Sequence, residues 1–330
     1  MSSGFATPVQ RPPHSRVTKL NTGKEDFVTI PASPFMKRLG YGTGVSVYLY
    51  ERSPEKDGSG RSPWAVKKTR TIAGKTKTTS NDMERRLAKE AAVLKELNHP
   101  NIVGFRALTR GSDGSLCLSM EKGERALMDL IEEREEKGQG PFPAKCIYQV
   151  AHSLAKALSY LHNTCYMLHG DLKSANVLIH GDFQLAKLCD FGVTLKLKKT
   201  LDGLEDFDTD YVGTQPWNAM EVVIGGTITD KTDMYSYGLI IWEMIALAVP
   251  HVSLLGGSDD DSLSFDEDMD DSMCEDAFQN ALGTRPPLPN IKLGKEYQPL
   301  IELFCACTDE DPKKRPSANL ALKALEGISV

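Results

Sequence analysis

The chain has 330 residues, 40% hydrophobic and 25% charged, a globular composition with apolar material for a large core. Its net charge of −6 excludes a chain-wide basic surface, so neither nucleic acid nor a membrane surface is an expected partner. Residues 1–30 contain no apolar signal-type run, and secretion is not expected. The greasy stretch Leu239 to Val249 is interrupted by Glu243 and is too short to span a bilayer; it reads as a buried core helix. Seven cysteines without a CxxC pair, only Cys305 and Cys307 forming a lone CxC, point to reduced thiols in the cytoplasm or nucleus.

Residues 1–34 are rich in Ser, Thr, Pro and basic residues without periodicity and read as a disordered regulatory arm. From Phe35 the texture changes. Val45 to Tyr50 alternates like a strand, a Gly/Ser/Pro-rich loop covers Ser53 to Pro63, and a second strand resumes at Trp64-Ala-Val-Lys67. Met83 to Leu97 has helical spacing, with Leu87, Ala91, Leu94 and Leu97 on one face. Two further strand-like runs, Ile102 to Leu108 and Ser115 to Met120, flank a Gly-Ser-Asp-Gly turn. Beyond Gly123 the pattern is mostly helical: Leu127 to Glu136, Phe142 to His162, Asp233 to Leu247, and shorter helices from Tyr297 to Leu325. Strands first and helices later predict an α+β molecule of two unequal lobes joined near residues 120–124. Residues 258–276 carry a run of Asp and Glu and read as a solvated loop. No internal repeat is visible.

The chemistry-bearing residues are ordered along the chain. Gly40-Tyr-Gly42-Thr-Gly44-Val45-Ser-Val47 lies between strand-like stretches, and glycines let a backbone approach phosphates closely with its N–H groups. A dinucleotide-binding turn would need a strand before the glycines and a helix after them; here an alternating strand follows, which leaves a phosphate-covering loop or a plain glycine-rich hairpin. Lys67 ends the next strand, and Glu90 sits mid-helix where a buried lysine would need an acidic partner. His169-Gly170-Asp171-Leu172-Lys173-Ser174-Ala175-Asn176 precedes an apolar run, and Asp190-Phe191-Gly192 follows it.

This ordered set resembles the signature of the protein kinases: glycine loop, strand lysine, helix glutamate, catalytic loop and Asp-Phe-Gly. The resemblance covers residues 35–326 and implies a bilobal kinase fold, with an N-lobe at 35–119, a hinge at 120–124 and a C-lobe at 125–326. It implies ATP and Mg²⁺ as cofactors and protein hydroxyls as acceptors. Gly40, Gly42, Gly44, Val47 and Ala65 would surround the nucleotide. Lys67, held by Glu90, would grip its α- and β-phosphates. Met120 would be the gatekeeper, with Glu121 to Gly123 as the adenine-binding hinge. Asp190 and Asn176 would hold Mg²⁺, Asp171 would take the acceptor proton, and Lys173 would balance charge on the transferring group. Gly213-Thr214 to Glu221 resembles the end of an activation segment, with Met220 where the family has Pro. Glu221 would pair with Arg315, Asp233 would hold the catalytic-loop backbone, and Leu94, Phe105, His169 and Phe191 would stack between the lobes, giving His169 a packing role.

Lys173 and Thr214 resemble the serine/threonine branch, with dual specificity left open by a likeness to MAP-kinase kinases. The combination of Ile30-Pro-Ala-Ser-Pro34-Phe-Met, His169-Gly170-Asp171, Cys189 before Asp190, Ala281 to Pro287, the acidic insert and Val330 resembles a MAP-kinase-kinase-like group that binds PDZ domains in dividing cells. It implies control of Thr7-Pro8 by an upstream proline-directed mitotic kinase. The last residues, 327–330, resemble a PDZ ligand of the hydrophobic-x-hydrophobic kind through Ile328 and Val330. Two features depart from the family: Val45 stands where the third loop glycine is usual, and Gly170 replaces the arginine that pairs with an activation-segment phosphate. The other class of function is a pseudokinase scaffold that acts by binding PDZ proteins. Such a scaffold has no chemical need for Lys67, Glu90, Asp171, Asn176 and Asp190 together.

Overall fold

A computed structural model describes residues 37–42, 45–51, 63–69, 77–111, 113–255 and 271–327. Thr7 and the rest of the arm, Gly44, most of the 53–63 loop, residues 258–270 of the acidic insert, and Ile328 and Val330 lie outside the described residues.

The first lobe is a five-stranded antiparallel sheet made of β1 (Lys37–Gly42), β2 (Val45–Tyr50), β3 (Trp64–Thr69), β4 (Phe105–Arg110) and β5 (Leu116–Glu121), in the order β1-β2-β3-β5-β4. The 20-residue helix α1 (Lys77–Glu96) packs on it through the predicted stripe: Leu87, Ala91, Leu94 and Leu97 are all buried. Ile102 departs from the expected strand. It bridges in parallel to Leu188, with Val103 N donating to Leu188 O and Leu188 N to Asn101 O, and so stitches this lobe to the next. The strand proper starts at Phe105. Met120 and Glu121 still belong to β5, so the hinge begins later than the sequence suggests.

Beyond the hinge come β6 (Arg125–Ala126), α2 (Leu127–Glu136) and α3 (Ala144–Tyr160), which runs into a π-helical turn at Leu161–Cys165. Then follow β7 (Met167–Leu168), β8 (Val177–His180), β9 (Leu185–Leu188) and β10 (Leu195–Lys196), in two small sheets, β6-β8-β9 and β10-β7. The remaining helices are α4 (Met220–Val223), α5 (Asp230–Ala246), α6 (Asp271–Ala281), α7 (Gln298–Cys307) and α8 (Ala318–Glu326).

Helix α5 is the axis of this lobe. Thr229 and Thr232 form a reciprocal capping box at its start, which satisfies donors that the first turn leaves open. Every residue from Asp230 to Ile245 except Lys231 is buried, the pattern of a helix enclosed on all sides. Gly238 permits the approach of α7: a Cβ there would come 2.9 Å from both Cys307 Cβ and Thr308 Cγ2.

The acidic insert needs correction. Asp271, Glu275 and Asp276, expected in a loop, lie in α6. Acidic residues suit the first turns of a helix, where the backbone dipole is positive, and buried Phe278 and Leu282 anchor the segment to the lobe. No helix among the described residues is long and apolar enough to cross a membrane, and none of the seven cysteines forms a disulfide.

Candidate active site

On the sheet side of the cleft, Gly40 and Gly42 stand in β1 opposite Val47 and Val45, so the predicted glycine hairpin lies at the end of β1 and β2. In β2 and β3, Val47 pairs with Lys67, and Ala65 pairs with Met120 across β3 and β5. Ala65 and Met120 are buried, and Val47 packs against the same core. Lys67 Nζ contacts two carboxylates, Glu90 Oε2 at 2.9 Å and Asp190 Oδ1 at 2.8 Å. Burial alone would lower the Lys67 ammonium, but Asp190 and Glu90 more than reverse it and raise the group above its ordinary value. Burial likewise pushes the Glu90 carboxyl up to about 7 against the pull of Lys67. Asp190 is held below the ordinary range: its own burial works the other way, and the ammonium of Lys67 prevails.

Glu121, the last residue of β5, has its side chain fully engaged. Its carboxylate takes Lys187 Nζ of β9 at 2.7 and 2.8 Å and the Gly104 N–H at 3.1 Å, and its backbone N–H donates to Gly104 O at 2.8 Å. The pair joins β5 of one lobe to β9 of the other. Gly123 passes so close to β8 that a Cβ would come 2.7 Å from Leu178 Cδ1.

The catalytic loop follows β7 and hangs from α5. Asp233, 1% exposed, accepts the His169 N–H at 2.8 Å, the Gly170 N–H at 3.0 Å and His162 Nε2 at 2.8 Å. His169 donates from Nε2 to Cys189 O, accepts from the Asp171 N–H at Nδ1, and packs edge-on against Phe191 with centroids 5.0 Å apart. Leu94 and Phe191 are fully buried, with Phe105 packed against their cluster, so the His169 ring is a structural wedge with both nitrogens engaged. Asp171 Oδ1 accepts from the Thr214 hydroxyl at 2.6 Å, and its Oδ2 lies 2.9 Å from Lys173 Nζ. Lys173 also donates to Thr214 Oγ1 at 2.6 Å. Asn176 donates through Nδ2 to Asp171 O at 2.7 Å and Asp171 Oδ2 at 3.0 Å; its backbone O accepts from the Cys189 N–H, while its side-chain Oδ1 makes no bond among the described residues.

Beyond β10 the segment folds back as a hairpin: Leu197 bridges Leu204, Lys198 N donates to Gly203 O, and Glu205 N donates to Lys196 O. Its inner residues Leu195, Leu197 and Leu204 are buried with Leu168 in a separate apolar cluster, against which Tyr166, Leu201, Tyr211 and Ile228 pack. The segment's far end is anchored by Glu221, whose carboxylate takes Arg315 Nη1 at 2.7 Å and Nη2 at 2.9 Å, with the Thr232 hydroxyl at 3.0 Å. That is a forked, buried ion pair with the hydrogen bonds such a pair needs.

The protein kinase domain model matches residues 35–325. The chain belongs to the protein kinase family. It is 50% identical over 302 residues to the human lymphokine-activated killer T-cell-originated protein kinase, with 91% of each chain covered. It is 28% identical over 316 residues to a probable serine/threonine-protein kinase of Dictyostelium discoideum, roco7, covering 92% of this chain and 10% of that one. A dual specificity protein kinase of the same organism, shkD, is 29% identical over 244 residues, 73% of this chain and 29% of that one.

Within this kinase the structure brings together Lys67, Glu90 and Asp190, and separately Asp171, Lys173, Asn176 and Thr214. Sequence reasoning put Thr214 at the end of the activation segment without a partner, and its hydroxyl touches the Asp171 carboxylate. It assigned Lys67 to Glu90 alone and missed the contact with Asp190. It also missed His162 and Lys187, which carry no motif of their own. Glu243 did leave a signal, as the one acidic residue inside the apolar run. No cluster of three His, Cys, Asp or Glu ligands exists among the described residues. Asp190 and the open oxygen of Asn176 fit a hard cation that takes its remaining ligands from phosphates and water.

Lys67→Met should abolish turnover while leaving the fold intact. The buried Glu90, already disposed to hold its proton, can then stay neutral. Circular dichroism and a transfer assay at saturating ATP check this; a wild-type rate would remove Lys67 from the site.

Proposed function

We propose that this kinase transfers the γ-phosphoryl group of ATP to serine or threonine hydroxyls of proteins. The carrying observation is the Asp171–Thr214 contact beside Lys173. The hydroxyl of Thr214, at 2.6 Å from Asp171 Oδ1, occupies the position an acceptor hydroxyl needs to lose its proton, within reach of a general base. A short aliphatic hydroxyl already fits there, which favours Ser and Thr over the longer Tyr. Lys67 would hold the α- and β-phosphates, and Lys173 would offset charge on the transferring group. Asp190 and Asn176 would supply oxygen ligands to Mg²⁺. When bound, that ion neutralises charge on the β- and γ-phosphates. The three relatives are named as kinases, one of them as dual specificity, which keeps tyrosine within the test.

Control of the segment follows from Gly170, whose φ of +81° is a left-handed conformation that costs glycine little. A phosphate on Thr200 or Thr209 would meet no arginine from the catalytic loop. Thr209 Oγ1 donates to Asp206 and Thr200 Oγ1 to Asp202, and around Thr209 the run of acidic residues repels added negative charge. The hairpin and its apolar cluster order the segment without that charge. We place regulation instead at Thr7, by a proline-directed kinase in mitotic cells, and partner capture at Ile328 to Val330 by PDZ domains. Both rest on sequence resemblance.

Asp171→Asn should lower kcat by roughly 10²–10⁴-fold and leave ATP binding intact, read by turnover on matched Ser, Thr and Tyr peptides and by titration calorimetry. A Tyr peptide turned over as fast as the Ser peptide would replace the serine/threonine reading with dual specificity. Thr200→Ala and Thr209→Ala, isolated from dividing cells, should keep most of the activity while Thr7→Ala is blunted; the reverse pattern would place the switch in the segment. Deleting residues 328–330 should spare peptide turnover and abolish PDZ capture, so retained capture would refute the tail assignment.

A further inference from the structure

Tyr211 takes part in none of the steps above, yet its ring lies between two glycines that each precede a residue of the acceptor site. Gly170 comes before Asp171 and Gly213 before Thr214, and the side chains of Asp171 and Thr214 meet at 2.6 Å. A Cβ on Gly170 would stand 3.9 Å from Tyr211 Cε2, in ordinary contact. A Cβ on Gly213 would fall 2.6 Å from Tyr211 Cε1, closer than any side chain can come. One edge of the ring therefore rests on the catalytic loop, and the other folds back over the backbone that leads into Thr214.

The slot has rigid walls. Gly170 has a φ of +81°, and a Cβ there would also press on Val193 O at 3.2 Å, so a side chain at 170 is both strained and obstructed. The Gly170 N–H is tied to Asp233 at 3.0 Å, which fixes the wall on the catalytic-loop side. Tyr211 is further held by packing on the apolar cluster of Leu168, Leu195, Leu197 and Leu204, and Leu168 itself is fully buried two residues before Gly170. The Tyr211 hydroxyl makes no hydrogen bond among the described residues. Burial, reinforced by the carboxylates of Asp233, Asp171 and Glu221, pushes its phenol well above the ordinary value, so the side chain stays neutral and acts by shape.

We propose that Tyr211 is a positioning residue for the acceptor half of the site, its ring being the spacer between Gly170 and Gly213 that sets how far Thr214 stands from Asp171. The assignment rests on the kinase reading of the same site. It goes beyond that reading by naming what seats the activation segment on a catalytic loop that has glycine where the family has arginine. An arginine at 170 would draw the segment in through a phosphate. Here the segment brings its own aromatic side chain to that place, and contact of shapes replaces attraction of charges. Removing the ring opens the slot on both sides, so Thr214 loses its fixed distance to Asp171. The contacts of Lys67 with Glu90 and Asp190 involve none of these groups and stay as they are.

The test uses the full chain, with peptide and ATP varied in turn. Tyr211→Ala should lower kcat/KM for the acceptor peptide by roughly ten- to a hundredfold while KM for ATP stays within about twofold of wild type. Tyr211→Phe keeps the ring and removes a hydroxyl that bonds nothing, so it should restore near-wild-type values. Tyr211→Leu keeps apolar volume for the leucine cluster but lacks the flat reach between the glycines, and it should resemble alanine. If Tyr211→Ala does not fold, the leucine and phenylalanine variants carry the decision. The proposal is overturned if the alanine and leucine variants shift only the melting temperature, if the ATP and peptide parameters fall together, or if phenylalanine is as damaging as alanine. Lack of transfer by the unmutated chain would count against the kinase reading instead.

Discussion

The carboxylate of Asp233 receives two backbone N–H groups and one imidazole nitrogen inside a helix with almost no exposed surface. Burying a carboxylate costs several kcal/mol unless its oxygens are satisfied, so the backbone of His169 and Gly170 is held where those oxygens require it. The path of the next residues then follows: Asp171, Lys173 and Asn176 project from a loop whose start has no freedom. Helix α5 repeats the arrangement near its other end at Glu243, and Thr232 contributes to the Glu221–Arg315 pair. The active residues belong to loops, yet their placement is set by polar groups on one rigid rod.

The nucleotide half depends on a different rod. Helix α1 carries Glu90 against Lys67, and Lys67 reaches across the cleft to Asp190. Three ionisable groups from β3, α1 and the segment after β9 thus share one small volume. The ammonium stabilises both carboxylates, and its own burial is offset only while they remain close. The Lys187–Glu121 pair adds a second link between the lobes. The two lobes therefore approach each other through charge at two places and through apolar packing of Leu94, Phe105 and Phe191 between them.

Much of this was legible in the residues. The stripe Leu87, Ala91, Leu94 and Leu97 has one period and one buried face, so α1 followed from spacing. Lys67, Asp171 and Asp190 were legible because their chemistry demands fixed neighbours in a fixed order. Glu243 was visible as an oddity in an apolar run, but its partners were not: Ser174 and Trp217 lie 69 and 26 residues away, and nothing local marks either as a donor. Lys187 and its pairing with Glu121 escaped for the same reason, since the two meet only in three dimensions. The acidic run misled at its end, since charge density argues for solvent exposure while Phe278 and Leu282, a few residues later, supply the anchor for a helix.

The cluster of leucines that holds the hairpin after β10 sets how that hairpin responds to its surroundings. Charge pairing weakens as ionic strength rises; burial of Leu195, Leu197 and Leu204 against Leu168 does not. Apolar burial has its own sensitivity, a large heat-capacity change that weakens it on cooling. The hairpin held by these leucines is therefore little screened by salt and weakens on cooling, unlike the charged anchor at Glu221 and Arg315.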